Sequence, residues 1–277
     1  MKLTFTKMHG CGNDYIYMDC FIQTVENPEQ LAISLSERHN GIGSDGLILI
    51  CPSGVADARM RMFNLDGSEG KMCGNGVRCV AEYLFLHEMV QGDCARIETL
   101  AGIKTIWRRA PGLLTVDMGA PVFEPAMIPV EGFLQPVINQ KVEIGGRQEQ
   151  ITCVSMGNPH CVVYVDDVAR FDVMKRGRVF EHHRIFPEGV NTEFIQIIDS
   201  NHLKMRVWER GSGETLACGT GACASVAASI ENGICFYDEE IEVELPGGVL
   251  SICRTKETVL MTGDAVVAFT GTVEVAG

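Results

Sequence analysis

The chain has 277 residues, 46% hydrophobic and 21% charged, with a formal net charge of −13. That length holds one large or two ordinary domains, and the acidic balance argues against nucleic-acid or anionic-membrane partners, which need basic patches. No apolar run approaches the ~18 residues of a membrane span, and MKLTFTKMHG at the N-terminus lacks the apolar core of a signal peptide, so a cytoplasmic protein handling small molecules is expected.

In chain order, PEQLAISLSERHNG (28–41) predicts a helix ending at its glycine. GIGSDG (41–46) spells G-x-G-x-x-G, but a helix precedes it and strand-like LILI follows, the reverse of a dinucleotide-binding context. DGLILI reads as a strand. After Gly76, VRCVAEYLFLHEM places Val77, Val80, Ala81, Leu84 and Phe85 on one helical face. ARIETL, GLLTVDM, CVVYVDD, TEFIQII and LKMRVWE follow as strands. After Gly221, ACASVAASIENG is small or apolar nearly all round, the pattern of a buried helix. EIEVEL and GVLSICR complete a strand-heavy α+β chain.

An offset of 145 aligns the chain with itself. RMFNLDGSEGKMCGNG (61–76) falls on RVWERGSGETLACGTG (206–221) without a gap. Gly12 and Asn13 meet Gly157 and Asn158, and Leu100 and Gly102 meet Leu245 and Gly247. One offset serving separated segments predicts an internal duplication, with a boundary near the proline-rich MGAPVFEPAMIPVEG (118–132).

The duplication places Cys73 and Cys218, each in Cys-Gly-x-Gly, at two helix starts. Helix N-termini offer unpaired N–H groups and partial positive charge, which suits a carboxylate or phosphate and lowers a thiol's pKa. Glycine lets a ligand approach the backbone closely. A thiol on each wall of a cleft suits inversion at an amino-acid α-carbon: one removes the α-proton, the other protonates the opposite face. The chain has twelve cysteines and no C-x-x-C. Most read as small buried residues, and metal binding is a minority reading. No lysine stands in a recognisable pyridoxal context, so no cofactor is expected.

The stretches MHGCGNDY, FNLDGSE with MCGNGVRC, SMGNPHCV, FPEGVNTEF and ERGSGETLACGTGACAS follow in that order across essentially the whole chain. This set resembles the diaminopimelate epimerase family, and LPGG and MTG match too. The resemblance implies a cofactor-independent two-base enzyme, usually a homodimer, without metal. It would interconvert LL- and meso-diaminopimelate for lysine and cell-wall synthesis. It implies two pseudo-symmetric domains, each a curved, barrel-like mixed sheet around a central helix: residues 1–119 joined by the last strand (265–277), and residues 120–264. Cys73 and Cys218 resemble the acid/base thiols. Gly74, Asn75, Gly219 and Thr220 match the helix ends holding the reacting carboxylate. Asn13, Asn64, Asn158, Asn191 and Arg210 match substrate-gripping residues. By the same resemblance Glu209 would contact substrate and, with His160, support the thiols. Gly46 stands where some members carry Gln, and Cys11 where members are often apolar; Cys11 is read as packing.

Two other readings remain at this point. A related cofactor-independent racemase acting on histidine or proline shares the paired-thiol design. A thiol-redox or metal-binding protein could use the same two cysteines. Opposed thiols would also pair on oxidation, giving a Cys73–Cys218 disulfide that inactivates reversibly.

Overall fold

The apolar run Gly46–Cys51 forms a strand whose first five residues are all buried. A strand covered on both faces needs no polar alternation. Tyr17, Ile48 and Ile50 pack to one side, while Ile16, Met18, Leu47 and Leu49 join Ala32 and Leu35 on the other. The computed structural model describes residues 2–275 and divides into two units, Met1–Val116 with Thr262–Gly277, and Asp117–Met261.

In the first unit Val266–Glu274 pairs antiparallel with Lys2–Gly10, which pairs antiparallel with Asn13–Asp19. Asn13–Asp19 runs parallel to Gly46–Cys51, and α1 (Pro28–Ser36) lies in the crossover between them. Ala58–Asn64, Cys94–Thr99 and Gly102–Ala110 extend the sheet. The helix α2 (Gly74–Leu86) packs against Lys2–Gly10 and Asn13–Asp19 and also against Cys94–Thr99 and Gly102–Ala110. Strands far apart in the pairing order meet one helix, so the sheet curves around it.

The second unit repeats this plan. Arg147–Ser155 pairs antiparallel with Pro159–Tyr164, which runs parallel to Asn191–Asp199. The helix α3 (Val173–Glu181) fills that crossover. His202–Glu209, Glu240–Leu245 and Gly248–Arg254 continue the sheet around α4 (Gly219–Glu231). At the offset of 145, α1 falls on α3, α2 on α4, and Lys2–Gly10 on Arg147–Ser155. Even the Arg61–Glu69 ion pair (2.8 Å) has its counterpart in Arg206–Glu214 (2.7 Å). Each unit is a mixed sheet wrapped around one central helix, an α+β architecture. No helix among the described residues is long and apolar enough to cross a membrane.

The structure corrects the sequence reading at two helices, α1 and α3. The first ends at Ser36, not at Gly41. Glu37 turns extended, and its carboxylate accepts the His39 and Asn40 amides. The returning loop donates to the Leu35 and Ser36 carbonyls, satisfying the helix end. Gly41 is still required, because a Cβ there would sit 2.5 Å from the Ser34 carbonyl oxygen. The helices α2 and α4 start at Gly74 and Gly219, directly after Cys73 and Cys218, where the Cys-Gly-x-Gly motifs place them. The whole of α3 was absent from the sequence reading.

Gly177 of α3 packs on Trp208, and a Cβ would lie 2.2 Å from its Cγ. The indole N–H donates to Glu181 at 2.6 Å, which holds the ring in place. Alanine gains about 1 kcal/mol of helix propensity, while overpacking costs about 1–3 kcal/mol. Because the clash is with a pinned ring, Gly177→Ala is expected to lower stability by about 1–2 kcal/mol. Urea denaturation checks this; an unchanged or higher midpoint would contradict it.

Candidate active site

Each unit places one cysteine as the N-cap of its central helix. Cys73 is extended (φ −129°, ψ 122°), and its Sγ accepts the Gly76 amide at 3.4 Å. Cys218 repeats this (φ −127°, ψ 107°), accepting the Gly221 amide at 3.4 Å. Sulfur thus takes the position usually filled by a serine or aspartate oxygen. The cap engages the third amide of the helix. The first two, from Gly74 and Asn75 or from Gly219 and Thr220, have no acceptor within the helix. With the positive end of the helix dipole, they form an anion-binding pair.

In the first unit, the Cys73 thiol donates to Asn13 Oδ1 at 3.3 Å, and Asn75 Nδ2 approaches the same oxygen at 3.5 Å. Asn13 Nδ2 donates to Asp45 at 2.8 Å. Arg78 is fully buried and organises the helix start: Nη2 donates to Asn75 Oδ1 (2.9 Å) and Nε to the Asp264 carbonyl (3.1 Å). The Tyr15 phenol hydrogen-bonds Asn13 and Cys73, and burial holds its pKa well above the usual range. Asn64 ends the Ala58–Asn64 strand and donates to Ser68 at 3.0 Å. Position 46 has no room for a side chain, since a Cβ would meet the Phe63 carbonyl oxygen at 2.2 Å. Cys11 is buried, donates through its amide and thiol to Asp264 Oδ1, and has its pKa pushed up to about 12, chiefly by burial.

The second unit surrounds its thiol with ionisable groups. Thr220 Oγ1 lies 3.5 Å from Cys218 Sγ and accepts from Asn158 Nδ2 at 3.4 Å. Asn158 Oδ1 meets His160 Nε2 at 3.0 Å, and His160 Nδ1 meets Glu193 Oε1 at 2.7 Å. His160 and Glu193 are both fully buried. Glu209 accepts from Thr215, hydrogen-bonds the Cys218 thiol, and has its pKa raised mainly by burial. Asn191 accepts the Arg210 amide and donates to the Pro159 carbonyl, both at 2.9 Å, while the exposed Arg210 guanidinium donates to the Glu188 carbonyl.

The expected drop in thiol pKa is reversed at Cys218. Burial is the largest cause and pushes it well above the usual thiol value; the Glu209 and Glu193 carboxylates push the same way. The Thr220 hydroxyl and Gly221 amide pull it down but do not win. Cys218 therefore rests as a thiol. Among the described residues, no cluster of three or more His, Cys, Asp or Glu is placed to hold a metal ion.

A family model for diaminopimelate epimerase matches residues 5–124 and 152–268. The diaminopimelate epimerase of Acetivibrio thermocellus is 52% identical over 278 residues, spanning 98% of this chain and 99% of that one. The chain belongs to the diaminopimelate epimerase family. The diaminopimelate epimerase of Methanococcus maripaludis is 48% identical over 279 residues, covering 99% of this chain and all of its own. Among solved structures, a probable proline racemase from Agrobacterium radiobacter superposes with a TM-score of 0.73 at 16% identity, over 99% of this chain and 93% of that one. A Bacillus anthracis phenazine biosynthesis protein of the PhzF family gives 0.71 at 19% identity, over 99% and 100%. These structural likenesses concern the fold alone.

Within this epimerase fold the expected residues gather at the two helix starts. Gly74, Asn75 and Asn13 adjoin Cys73; Gly219, Thr220, Asn158, His160 and Glu209 adjoin Cys218. Asn191 holds the Arg210 backbone. Three further residues escaped the sequence reading. Arg78 lies in the helical run VRCVAEYLFLHEM but outside the apolar positions that mark it. Tyr15 sits at the offset of His160 and touches the other thiol, a signal the duplication already carried. Glu193 sits inside the strand TEFIQII, at the offset of Ile48. Its Oε1 lies 2.7 Å from where a Cβ on Gly221 would be, which keeps that position glycine.

Removing the Glu193 charge should ease ionisation of Cys218. In Glu193→Gln, the pH at which iodoacetamide labels Cys218 is expected to fall, read peptide by peptide in a mass spectrometer. A profile unchanged or moved upward would refute this electrostatic role.

Proposed function

We propose that the protein epimerises one α-carbon of diaminopimelate, interconverting the LL and meso forms, with Cys73 and Cys218 as the two bases. The observation that carries the reading is the repeated N-cap: each thiol stands beside two helix amides without an intrahelical acceptor. The amides of Gly74, Asn75, Gly219 and Thr220 bind the reacting carboxylate. They also stabilise the charge that develops as the α-proton leaves, the step that makes this chemistry hard. Cys218, kept protonated by burial and two carboxylates, is the resting acid, and Cys73 is the base for the same direction. Roles exchange in reverse. Proton transfer between carbon and two thiols requires no redox or pyridoxal chemistry, so the reading includes no cofactor.

His160 and Glu209 act on the Cys218 proton, Glu209 as its hydrogen-bond acceptor and His160 by holding Asn158 against Thr220. Asn13 plays the matching part for Cys73. The far amino-acid head is gripped by Asn64, Asn158, Asn191, Glu209 and Arg210, whose guanidinium supplies a bidentate fork for a carboxylate. A site that hydrogen-bonds both ends discriminates strongly against shorter amino acids. The same reading makes the two units duplicated epimerase domains. It places the enzyme in the cytoplasm, as a homodimer, in lysine and peptidoglycan-precursor synthesis.

In deuterated water, reduced protein and LL-diaminopimelate should yield meso product carrying solvent deuterium at the inverted carbon. Absence of exchange, from protein with free thiols, would reject this substrate. Cys73→Ser and Cys218→Ser each replace a weak sulfur cap by a good oxygen cap. Stability should hold or rise slightly while turnover falls by about 10²–10⁴-fold. Calorimetry should find substrate binding retained. A variant that loses stability and activity together would assign the cysteine to the scaffold.

A further inference from the structure

A second pair of thiols lies outside the site, at the end of the parallel pair Asn13–Asp19 and Gly46–Cys51. The register runs from Ile16 opposite Leu47 to Asp19 opposite Ile50. The Cys20 amide donates to the Ile50 carbonyl at 2.8 Å, which carries the pairing one residue further. Cys20 therefore neighbours Cys51. Both close the same apolar row, beyond Ile16 with Leu47 and Met18 with Leu49, and both are half-buried against that cluster. Adjacent strands are about 4.8 Å apart, within the ~4.4–6.8 Å Cα separation of disulfides.

The two side chains are within hydrogen-bonding reach of one another, and the Cys20 thiol also faces the Met18 carbonyl at 3.9 Å. On the other flank, the antiparallel Ala58–Asn64 strand sets Arg59 opposite Cys51 and Arg61 opposite Leu49. We propose that Cys20 and Cys51 form a peroxide-oxidisable dithiol that closes to a disulfide, independent of the thiols at the two helix starts. The Cys20 hydrogen bond and the two guanidinium groups draw the Cys51 pKa down, while Cys20 is raised as the donor. That assigns Cys51 as the attacking thiolate and Cys20 as the resolving thiol. Cys153 and Cys161 also face each other across paired strands, but both are fully buried and closed to an aqueous oxidant.

The Cys51 thiolate attacks hydrogen peroxide. An S–O bond forms, the O–O bond breaks, and the departing hydroxide takes a proton to become water. The Cys20 sulfur then attacks the Cys51 sulfenic acid. The S–S bond forms, the S–O bond breaks, and the leaving hydroxide combines with the Cys20 proton as a second water. In total two thiols lose two electrons and two protons, and one peroxide becomes two waters.

The test treats the full chain with hydrogen peroxide, blocks remaining thiols and digests it without reductant. Cleavage after Lys7, Arg38 and Arg59 leaves Cys20 and Cys51 on separate peptides. A linked mass that dithiothreitol dissolves is expected. Cys11 shares the Cys20 peptide, so Cys20→Ser decides the partner: the link should be lost, with Cys51 trapped by dimedone as the sulfenic acid. Exposed Cys94 is the internal reference for reactivity by exposure alone. The proposal fails if Cys20 and Cys51 stay fully alkylatable while Cys94 oxidises, or if the link survives in Cys20→Ser. Neither residue lies at the proposed site, so Cys20→Ser and Cys51→Ser should keep basal turnover.

Discussion

The structure turns on a cysteine used as a helix N-cap. A Ser, Thr, Asp or Asn cap stabilises a helix by about 1 kcal/mol, and sulfur accepting at 3.4 Å is a weaker acceptor than oxygen. Capping strength therefore does not explain the choice. What the cap does is fix a thiol within one turn of two unpaired amides, at the positive end of a helix dipole. Everything nearby serves that juxtaposition. Glycine at the first helical position keeps the backbone open, and the curved sheet buries the rest of the helix. In the first unit a fully buried arginine ties the helix start to Asn75 and the Asp264 backbone.

The two copies of this device are unequal in charge. Cys73 faces Asn13 and Tyr15, neutral groups that hydrogen-bond it. Cys218 faces Glu209, with Glu193 and His160 behind. At the offset of 145, Asn64 stands for Glu209, Tyr15 for His160 and Ile48 for Glu193. A two-base epimerisation needs one group protonated and one deprotonated at the start of each direction. Identical thiol environments would leave that division unassigned. Carboxylates and burial on one side bias the proton towards Cys218, whereas the helix dipole, present at both, cannot distinguish them.

Much of this was legible in the sequence, because short exact spacings encode local backbone geometry. The offset of 145 located both caps. The alternating and β-branched runs marked their strands, and the all-round apolar pattern after Gly221 marked a buried helix, in which Ser225 and Ser229 are fully buried. The losses have physical causes. In α3, VMKRGRVFE is short, polar overall and carries four charges, and its partner at the offset, PEQLAISLS, shares no residue with it in register. Tertiary packing of Val173, Gly177 and Phe180 against the sheet forms that helix. The direction of the Cys218 shift was missed because a helix dipole is local to the sequence, while the burial that dominates the shift, and the Glu209 and Glu193 carboxylates that add to it, come from the fold.

The duplication also separates frame from chemistry. Cys20 and Cys51 fall on Val165 and Gln196. The Cys20 amide bond to the Ile50 carbonyl and the Val165 amide bond to the Ile195 carbonyl are both 2.8 Å. The backbone is the same in both units, so it did not require thiols at either place. In the second unit Gln196 spends its side-chain oxygen on the Val168 amide. In the first, the same corner carries two thiols beside Arg59 and Arg61. Where a duplicated fold repeats a backbone hydrogen bond but changes the side chains, the difference cannot be assigned to folding of that corner. Reactivity is the property that two adjacent thiols have and a valine with a glutamine lack.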